Sequence, residues 1–224
     1  MKSSNAIPTR DFTPAAPFLW GYDFVIATAT RESLWRGALL QQLNAQATDR
    51  IADLGCGTGS FLVLLGQQAS AARLIGIDPD DAILQRAQRK LSGQGLSIEL
   101  RHGYLRDAAT LLASSGVNKI VSSLVFHQVP LAEKRAGLAS IFAALTPGGE
   151  LHIADYGWQR TALMRRLFQM VQMVDGFEDT QPNADGILPT LMREAGFVEV
   201  EETKVIPTAT GSLSLYRAVK PLNR

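Results

Sequence analysis

Five short apolar runs, "RIADL", "RLIGI", "LSIEL", "KIVSSLVF" and "ELHIADY", recur between residues 50 and 156, with amphipathic segments between them. Runs of this length suit strands buried on both faces, and the intervening segments suit helices that cover them. The alternation predicts βα units around a parallel sheet, with right-handed crossovers that place helices on both sides. Helices are expected at 59–69, in "DDAILQRAQRKLS" with Asp80 as its N-cap, near 107–114, and over 131–145, where "TPGG" ends the last one.

The rhythm changes at both ends. Ahead of it, "FLWGYDFVIATATRESLWRGALLQQLNAQA" reads as two helices, because Leu34, Ala38, Leu39 and Leu43 recur at helical spacing. Behind it, residues 157–185 form a long connection, expected to be a lid or a wall over a ligand. There Leu163, Leu167, Met170 and Val174 share one helical face with Met164 and Phe168 beside it; the face either packs on the domain or forms a flexible, Met-rich wall. A helix in "ILPTLMREAG" follows, then "FVEVEETKVI" and "SLSLYRAVK", which alternate like strands and predict an antiparallel hairpin at the sheet edge.

The 224 residues, 46% hydrophobic and 19% charged, fit one domain, with residues 1–48 as leader and cap helices and 49–224 as the core. A net charge of +1 supplies no basic field for a phosphate backbone, so nucleic acid is not expected as a partner. The single cysteine, Cys56, has no internal disulfide partner and no metal-ligand spacing, so no metal site is expected. The first residues lack a signal peptide's apolar region, and no run reaches the roughly 18 apolar residues of a membrane span. A reducing, cytoplasmic location is the expectation, as a monomer or a homodimer.

The first run leads into "IADLGCGTGSF", where Gly55, Gly57 and Gly59 sit between strand and helix. Such a loop lets backbone approach a ligand closely. Its spacing, G-x-G-x-G, departs from the dinucleotide pattern G-x-G-x-x-G, and Ser60 stands where the third glycine would fall. Asp53 adds charge logic, because a carboxylate there repels a pyrophosphate and attracts an ammonium group. Asp78, about 20 residues further on, ends the second strand where an acid accepts hydrogen bonds from ribose hydroxyls. A ribose and a cation together point to S-adenosylmethionine.

With these residues in order, the chain resembles the class I S-adenosylmethionine-dependent methyltransferases over about residues 20 to 219. The motifs are "IADLGCGTGSF", "IGIDPDDAILQRAQ", "VSSLVFHQVP" and "LTPGGELHIADYG". It is most similar to the small-molecule group that includes the ubiquinone and menaquinone C-methyltransferases. The resemblance implies an α/β, Rossmann-like, doubly wound sheet of seven strands in the order 3-2-1-4-5-7-6, strand 7 antiparallel. It also implies methyl transfer to a small-molecule acceptor, with S-adenosylhomocysteine as product. Gly55, Cys56, Gly57 and Gly59 would present backbone to the methionine part, Asp53 would lie beside its amino group, and Asp78 and Pro79 would border the ribose. Ser123 would stand at the end of strand 4, while Tyr22 and Arg31 would come from the cap helices, Arg31 either pairing with the methionine carboxylate or remaining a solvated charge. Two positions depart from the family pattern: Gly103-Tyr104 replaces Gly-Asp beside the adenine, and Asn118 replaces an Asp that either caps a turn or carries charge.

Transfer from a sulfonium needs alignment and exclusion of water more than a protein nucleophile. His127, after the fourth strand, is either a base toward a proton-bearing acceptor or a hydrogen-bonded structural imidazole. Asp155 and Tyr156, at the end of the fifth strand, either orient the acceptor or cap the next segment. Trp158 is expected at the mouth of the pocket, and Arg165 and Arg166 on a solvated face or against an acidic substrate. Two rivals stand beside methyl transfer: a cofactor-binding partner protein without transfer, and another S-adenosyl chemistry such as aminopropyl transfer.

Overall fold

The computed structural model describes residues 31–222. The strands are β1 (Arg50–Leu54), β2 (Arg73–Asp78), β3 (Glu99–His102), β4 (Lys119–Ser123), β5 (Glu150–Tyr156), β6 (Val198–Thr208) and β7 (Gly211–Val219). They form one sheet in the order β3-β2-β1-β4-β5-β7-β6. β7 runs antiparallel to β5 and β6, and the other pairings are parallel, so the seven-stranded sheet has the expected order and directions.

The helices are α1 (Glu32–Leu43), α2 (Ser60–Gln68), α3 (Asp81–Gly93), α4 (Ala108–Leu111), α5 (Leu131–Ala144), α6 (Ala162–Asp175), α7 (Phe177–Ala184) and α8 (Leu188–Glu194). Short 3-10 turns, Leu105–Asp107 and Phe126–Gln128, follow β3 and β4. Asp80 caps α3 as expected, its Oδ1 accepting the N–H of Ala82 at 2.8 Å and of Ile83 at 3.1 Å. Of the two helices expected ahead of β1, α1 is described; the other, with Tyr22, lies outside the described residues.

Strand alternation divides the core. Ile51 and Val121 join Trp35, Leu39, Leu62 and Leu65 on one side of the sheet, while Ala52 and Ile120 join Leu138, Ile141 and Leu191 on the other. Each fully buried aliphatic side chain contributes about 1.5–3 kcal/mol. Trp35, Leu39 and Leu43 are all buried, so α1 belongs to the same core as the sheet.

Three local readings are corrected or sharpened. The connection 157–185 folds as α6 and α7, but the apolar stripe expected either to pack on the domain or to form a Met-rich wall is exposed, Leu163 at 61% and Val174 at 60%, and no residue of α6 lines the cavity described below. The helix docks instead through Phe168, whose ring lies 4.9 Å from that of Tyr156, and through Gln172, whose Nε2 donates to Gln181 Oε1 at 2.9 Å. A bonded glutamine thus took the inward face that periodicity assigned to apolar residues. The β6/β7 turn is tighter than "PTATG" suggested, because the strands continue through Thr208 and resume at Gly211. Asn118 acts as a cap at the amino end of β4: its Oδ1 accepts the Arg50 N–H at 2.8 Å and its Nδ2 donates to Asp49 at 2.7 Å.

Candidate cofactor site

The carboxyl ends of β1, β2 and β4 meet at one edge of the sheet, the usual location of ligand crevices in open α/β folds. A cavity of about 320 Å³ opens there between the glycine loop and residues 123–125, with Trp35 and Arg36 of α1 on its wall. A larger hollow, about 580 Å³, lies along Ala69–Leu74 and Gly95–Glu99 at the other end of the strands; its charged residues Arg73 and Glu99 pair with one another at 3.7 Å.

Left-handed backbone shapes the loop, with φ of +74° at Gly55, +54° at Gly57 and +74° at Gly59. A Cβ on Gly55 would fall 2.2 Å from Val125 Cγ2, whereas one on Gly57 would meet nothing within 4 Å among the described residues. Gly57 therefore keeps space clear for a ligand, and Gly55 lets the loop touch the β4 turn. The Gly55 and Cys56 N–H groups donate to the Ile77 carbonyl at 2.8 and 3.0 Å, and the Gly57 N–H donates to Asp78 Oδ2 at 2.9 Å. Asp78 Oδ1 accepts the Asp80 N–H at 3.0 Å, so one carboxylate ties loop to helix start. Burial raises the Asp78 pKa against these hydrogen bonds.

Asp53 is the most exceptional group. It is buried, and neither carboxyl oxygen has a hydrogen-bond partner among the described residues. Burial pushes its pKa up to about 7, with Arg36 pulling the other way and Asp78 adding to the rise. A buried carboxyl without partners is costly unless a ligand completes it. Two donors on the cavity wall, Trp35 Nε1 and Arg36 Nε, have no partner among the described residues, although another Arg36 nitrogen pairs with Glu32. Asp53 stands outside the lining, buried two residues ahead of Gly55 and within reach of the Arg36 charge, so an acceptor behind the loop and two donors on the wall match an α-amino acid's ammonium and carboxylate. The residues present therefore fit the methionine end of S-adenosylmethionine.

On the opposite wall, Leu124 has a φ of +56°, rare for a branched residue. Its N–H donates to the Ala154 carbonyl at 2.9 Å, and the next two N–H groups, of Val125 and Phe126, donate to Asp155 Oδ2 at 3.0 and 2.6 Å. Asp155 is fully buried, so it fixes this turn and does not reach an acceptor. His127 Nδ1 lies 2.7 Å from Asp155 Oδ1, and its Nε2 lies 3.3 Å from Asp175 Oδ2. Burial alone would lower its pKa, but the two carboxylates outweigh burial and hold it up at about 9. A ring that donates from both nitrogens has no lone pair for a proton, so the geometry does not suit the base role and matches the structural reading. Tyr156 is buried as well, its hydroxyl bonded to Thr210 Oγ1 at 2.7 Å.

Of the residues expected at the cofactor, Gly55, Cys56, Gly57, Asp78, Pro79 and Ser123 line the cavity. Burial raises the Cys56 thiol, which fits a small loop residue. Gly59 sits behind the loop against Ala87. Gly103 and Tyr104 stand outside the lining: the space beside Gly103 is filled by Leu111, and Arg106 stacks on the Tyr104 ring at 4.4 Å. Asp107 is engaged as a cap, its Oδ2 accepting the Tyr104 N–H at 3.0 Å. The Arg31 guanidinium turns to the Pro207 carbonyl at 3.4 Å, and Arg36 takes the place at the wall expected for it. Trp35 was missed by sequence reasoning: its helical spacing with Leu39 and Leu43 marks a buried position, and nothing in it marks a cavity wall. Trp158 is 46% exposed and lies outside the lining too.

A family model described as "Methyltransferase domain" matches residues 51–149. The demethylmenaquinone methyltransferase of Clavibacter sepedonicus is 27% identical over 211 residues, covering 86% of this chain and 82% of that protein. That of Deinococcus radiodurans is 26% identical, covering 83% and 76%. Among solved structures, an O-methyltransferase family protein from Burkholderia thailandensis superposes with a TM-score of 0.69 at 16% identity, covering 90% of this chain and 59% of that one. A SAM-dependent methyltransferase from Thermotoga maritima gives 0.68 at 18% identity, covering 91% and 96%. At these identities the structural likeness is one of fold. Sequence relatives, fold and a cavity whose unpartnered groups suit the cofactor's amino acid end converge, and the chain belongs to the class I S-adenosylmethionine-dependent methyltransferases.

Proposed function

We propose that the chain methylates a small apolar or aromatic molecule and releases S-adenosylhomocysteine. The observation that carries the cofactor half is Asp53, a buried carboxyl without a partner among the described residues, within reach of the Arg36 charge, with the unpartnered Trp35 and Arg36 donors on the cavity wall. In this reading Asp53 takes the ammonium, Arg36 and Trp35 take the carboxylate, Asp78 takes the ribose hydroxyls, and the Gly57 backbone approaches the chain between them. The bound cofactor supplies an activated methyl group on sulfonium sulfur. The protein's share is to bind, align and exclude water, which Trp35, Leu124 and Val125 serve as apolar wall.

The acceptor half is supported by the two sequence relatives above, both named for demethylmenaquinone. The His127 geometry fits an acceptor that arrives ionised or sheds its proton to water, as a phenol or an acidic carbon does, because the ring has no free lone pair. A polyamine acceptor would call for several acids at the cavity, and Asp78 is the only acidic residue in its lining among the described residues. The two departures from the family pattern, Tyr104 and Asn118, are the features that favour a protein without transfer; Asn118 sits at the amino end of β4, away from the site, and Tyr104 stands outside the lining. No helix among the described residues is long and apolar enough to cross a membrane. We place the reaction in the cytoplasm, with no nucleic-acid partner and with residues 1–48 and 49–224 working as one domain.

Calorimetric titration with S-adenosylmethionine and S-adenosylhomocysteine tests the cofactor. Binding is expected for both, and absence of binding by either overturns the reading. A turnover screen across phenols, quinol precursors, amines and fatty acids then tests the acceptor. Methylation confined to amines would overturn the apolar or aromatic assignment.

A further inference from the structure

The left-handed Leu124 turn on the cavity wall is held from behind. A branched residue keeps such a conformation only where its surroundings fix it. Asp155 does the fixing, its Oδ2 shared by the Val125 and Phe126 N–H groups and its Oδ1 by the Tyr156 N–H and the His127 ring, both at 2.7 Å. The same ring reaches Asp175, the last residue of α6, at 3.3 Å. One imidazole thus joins the outlying helix to the carboxylate that shapes the cofactor wall. We propose that Asp175 is a positioning residue for cofactor binding, coupling the seat of α6 through His127 and Asp155 to the Leu124 turn. The proposal rests on the cofactor reading given above.

The coupling needs both ring protons. A doubly protonated imidazole donates to Asp155 on one side and Asp175 on the other; a ring that has lost one proton turns a lone pair toward a carboxylate. Asp155 has no room to withdraw, being fully buried with four donors on it, so the contact that opens is Asp175, whose side chain is 23% exposed. The other groups facing the ring come from three elements. The Tyr156 ring of β5 meets it edge-on at 5.0 Å. Lys134 of α5 holds Nζ 3.4 Å from the His127 carbonyl and also donates to the carbonyls of Phe126, Val129 and Asp179. Asp179 of α7 lies beyond Lys134 and pulls its pKa up, as Asp155 does, against the burial that sets it at about 8. The carboxylates keep His127 charged through neutral pH.

The test compares the full chain with Asp175→Asn and Asp175→Glu. Imidazole titration by NMR is expected to show the His127 midpoint lower in D175N and restored in D175E. Calorimetry with S-adenosylhomocysteine across pH is expected to give equal affinity near pH 6, where the ring is protonated in both proteins. Between the two midpoints, D175N should bind at least about fivefold more weakly than wild type, the lower end of ordinary coupling between sites. The ligand's own amino group titrates alike in every comparison and cancels. Equal affinity at every pH overturns the coupling, and so does a loss in D175N that is uniform with pH, which marks a merely structural role. Failure of the wild type to bind overturns the cofactor reading and this proposal with it.

Discussion

The Gly57 N–H donates to Asp78 Oδ2 at 2.9 Å, so the carboxylate that we propose for the ribose also sets the conformation of the glycine loop. Replacing Asp78 by Ala removes both services. We expect cofactor affinity to fall by about 1–3 kcal/mol, the scale of a lost charged hydrogen bond. Asp78→Asn keeps one acceptor and should lose less. Titration calorimetry with S-adenosylhomocysteine checks the order, and D78A binding as tightly as the parent would remove Asp78 from the site.

With Asp53 at the ammonium, as we propose, cofactor binding is expected to be proton-linked. Its free-state pKa near 7 lies above the ordinary carboxylate value, so below pH 7 it holds a proton that an arriving ammonium must displace. Affinity should therefore fall as pH drops below 7, by up to about tenfold per pH unit. At pH 6 the heat of binding should vary with the ionisation enthalpy of the buffer, and Asp53→Asn should abolish that variation. Buffer-independent heats in the parent protein would rule the linkage out.

Gly55 and Gly57 are expected to fail differently. Gly57→Ala places its methyl in open space at a φ of +54°, costing about 1–2 kcal/mol of stability while obstructing the ligand. In Gly55→Ala the methyl collides with Val125, so unfolding temperature should drop further. Thermal melts beside binding titrations separate the two; a G57A protein with unaltered cofactor affinity would contradict the open-space assignment.

His127 should act on stability more than on proton transfer. Its folded pKa, about 9, exceeds the unfolded value of 6.5, so its stabilising contribution is complete below 6.5 and disappears as pH rises through 9. The shift corresponds to stability on the order of 3 kcal/mol. His127→Gln should melt well below the parent at pH 6 and converge toward it above about pH 9. A melting difference independent of pH would show that the ring is not charged in the folded protein.

Arg36→Gln is expected to weaken S-adenosylhomocysteine yet leave methylthioadenosine, which lacks the amino acid, bound as before. Equal losses for both ligands would mean that Arg36 supports the fold and not the carboxylate.

The sheet was legible because alternation of buried strand and amphipathic helix is a local signal, and each strand carried it: Ile51 and Val121 against Ala52 and Ile120 fall on opposite faces as their spacing requires. The glycine loop was legible for the same reason, since the groups that shape it follow one another in the chain. What stayed hidden depends on contacts between distant segments. Asp175 meets His127 across 48 positions of sequence, and nothing local distinguishes it from a solvated acid. Arg36 instead of Arg31 reaches the wall because of the angle at which α1 docks, which spacing does not specify. On α6, the apolar stripe named a face but not its orientation, and a glutamine that found a partner in α7 decided the matter.

Every described residue on the cavity wall lies between Trp35 and Gln128, before β5 begins. The chain after that point supports the wall without lining it. Recombination near the β4–β5 boundary would therefore exchange one tail for another while every residue of the lining passed on, provided the incoming tail brought a carboxylate at the place of Asp155 to hold the Leu124 turn, and descendants of such an ancestor could diverge in what they modify without rebuilding the wall itself.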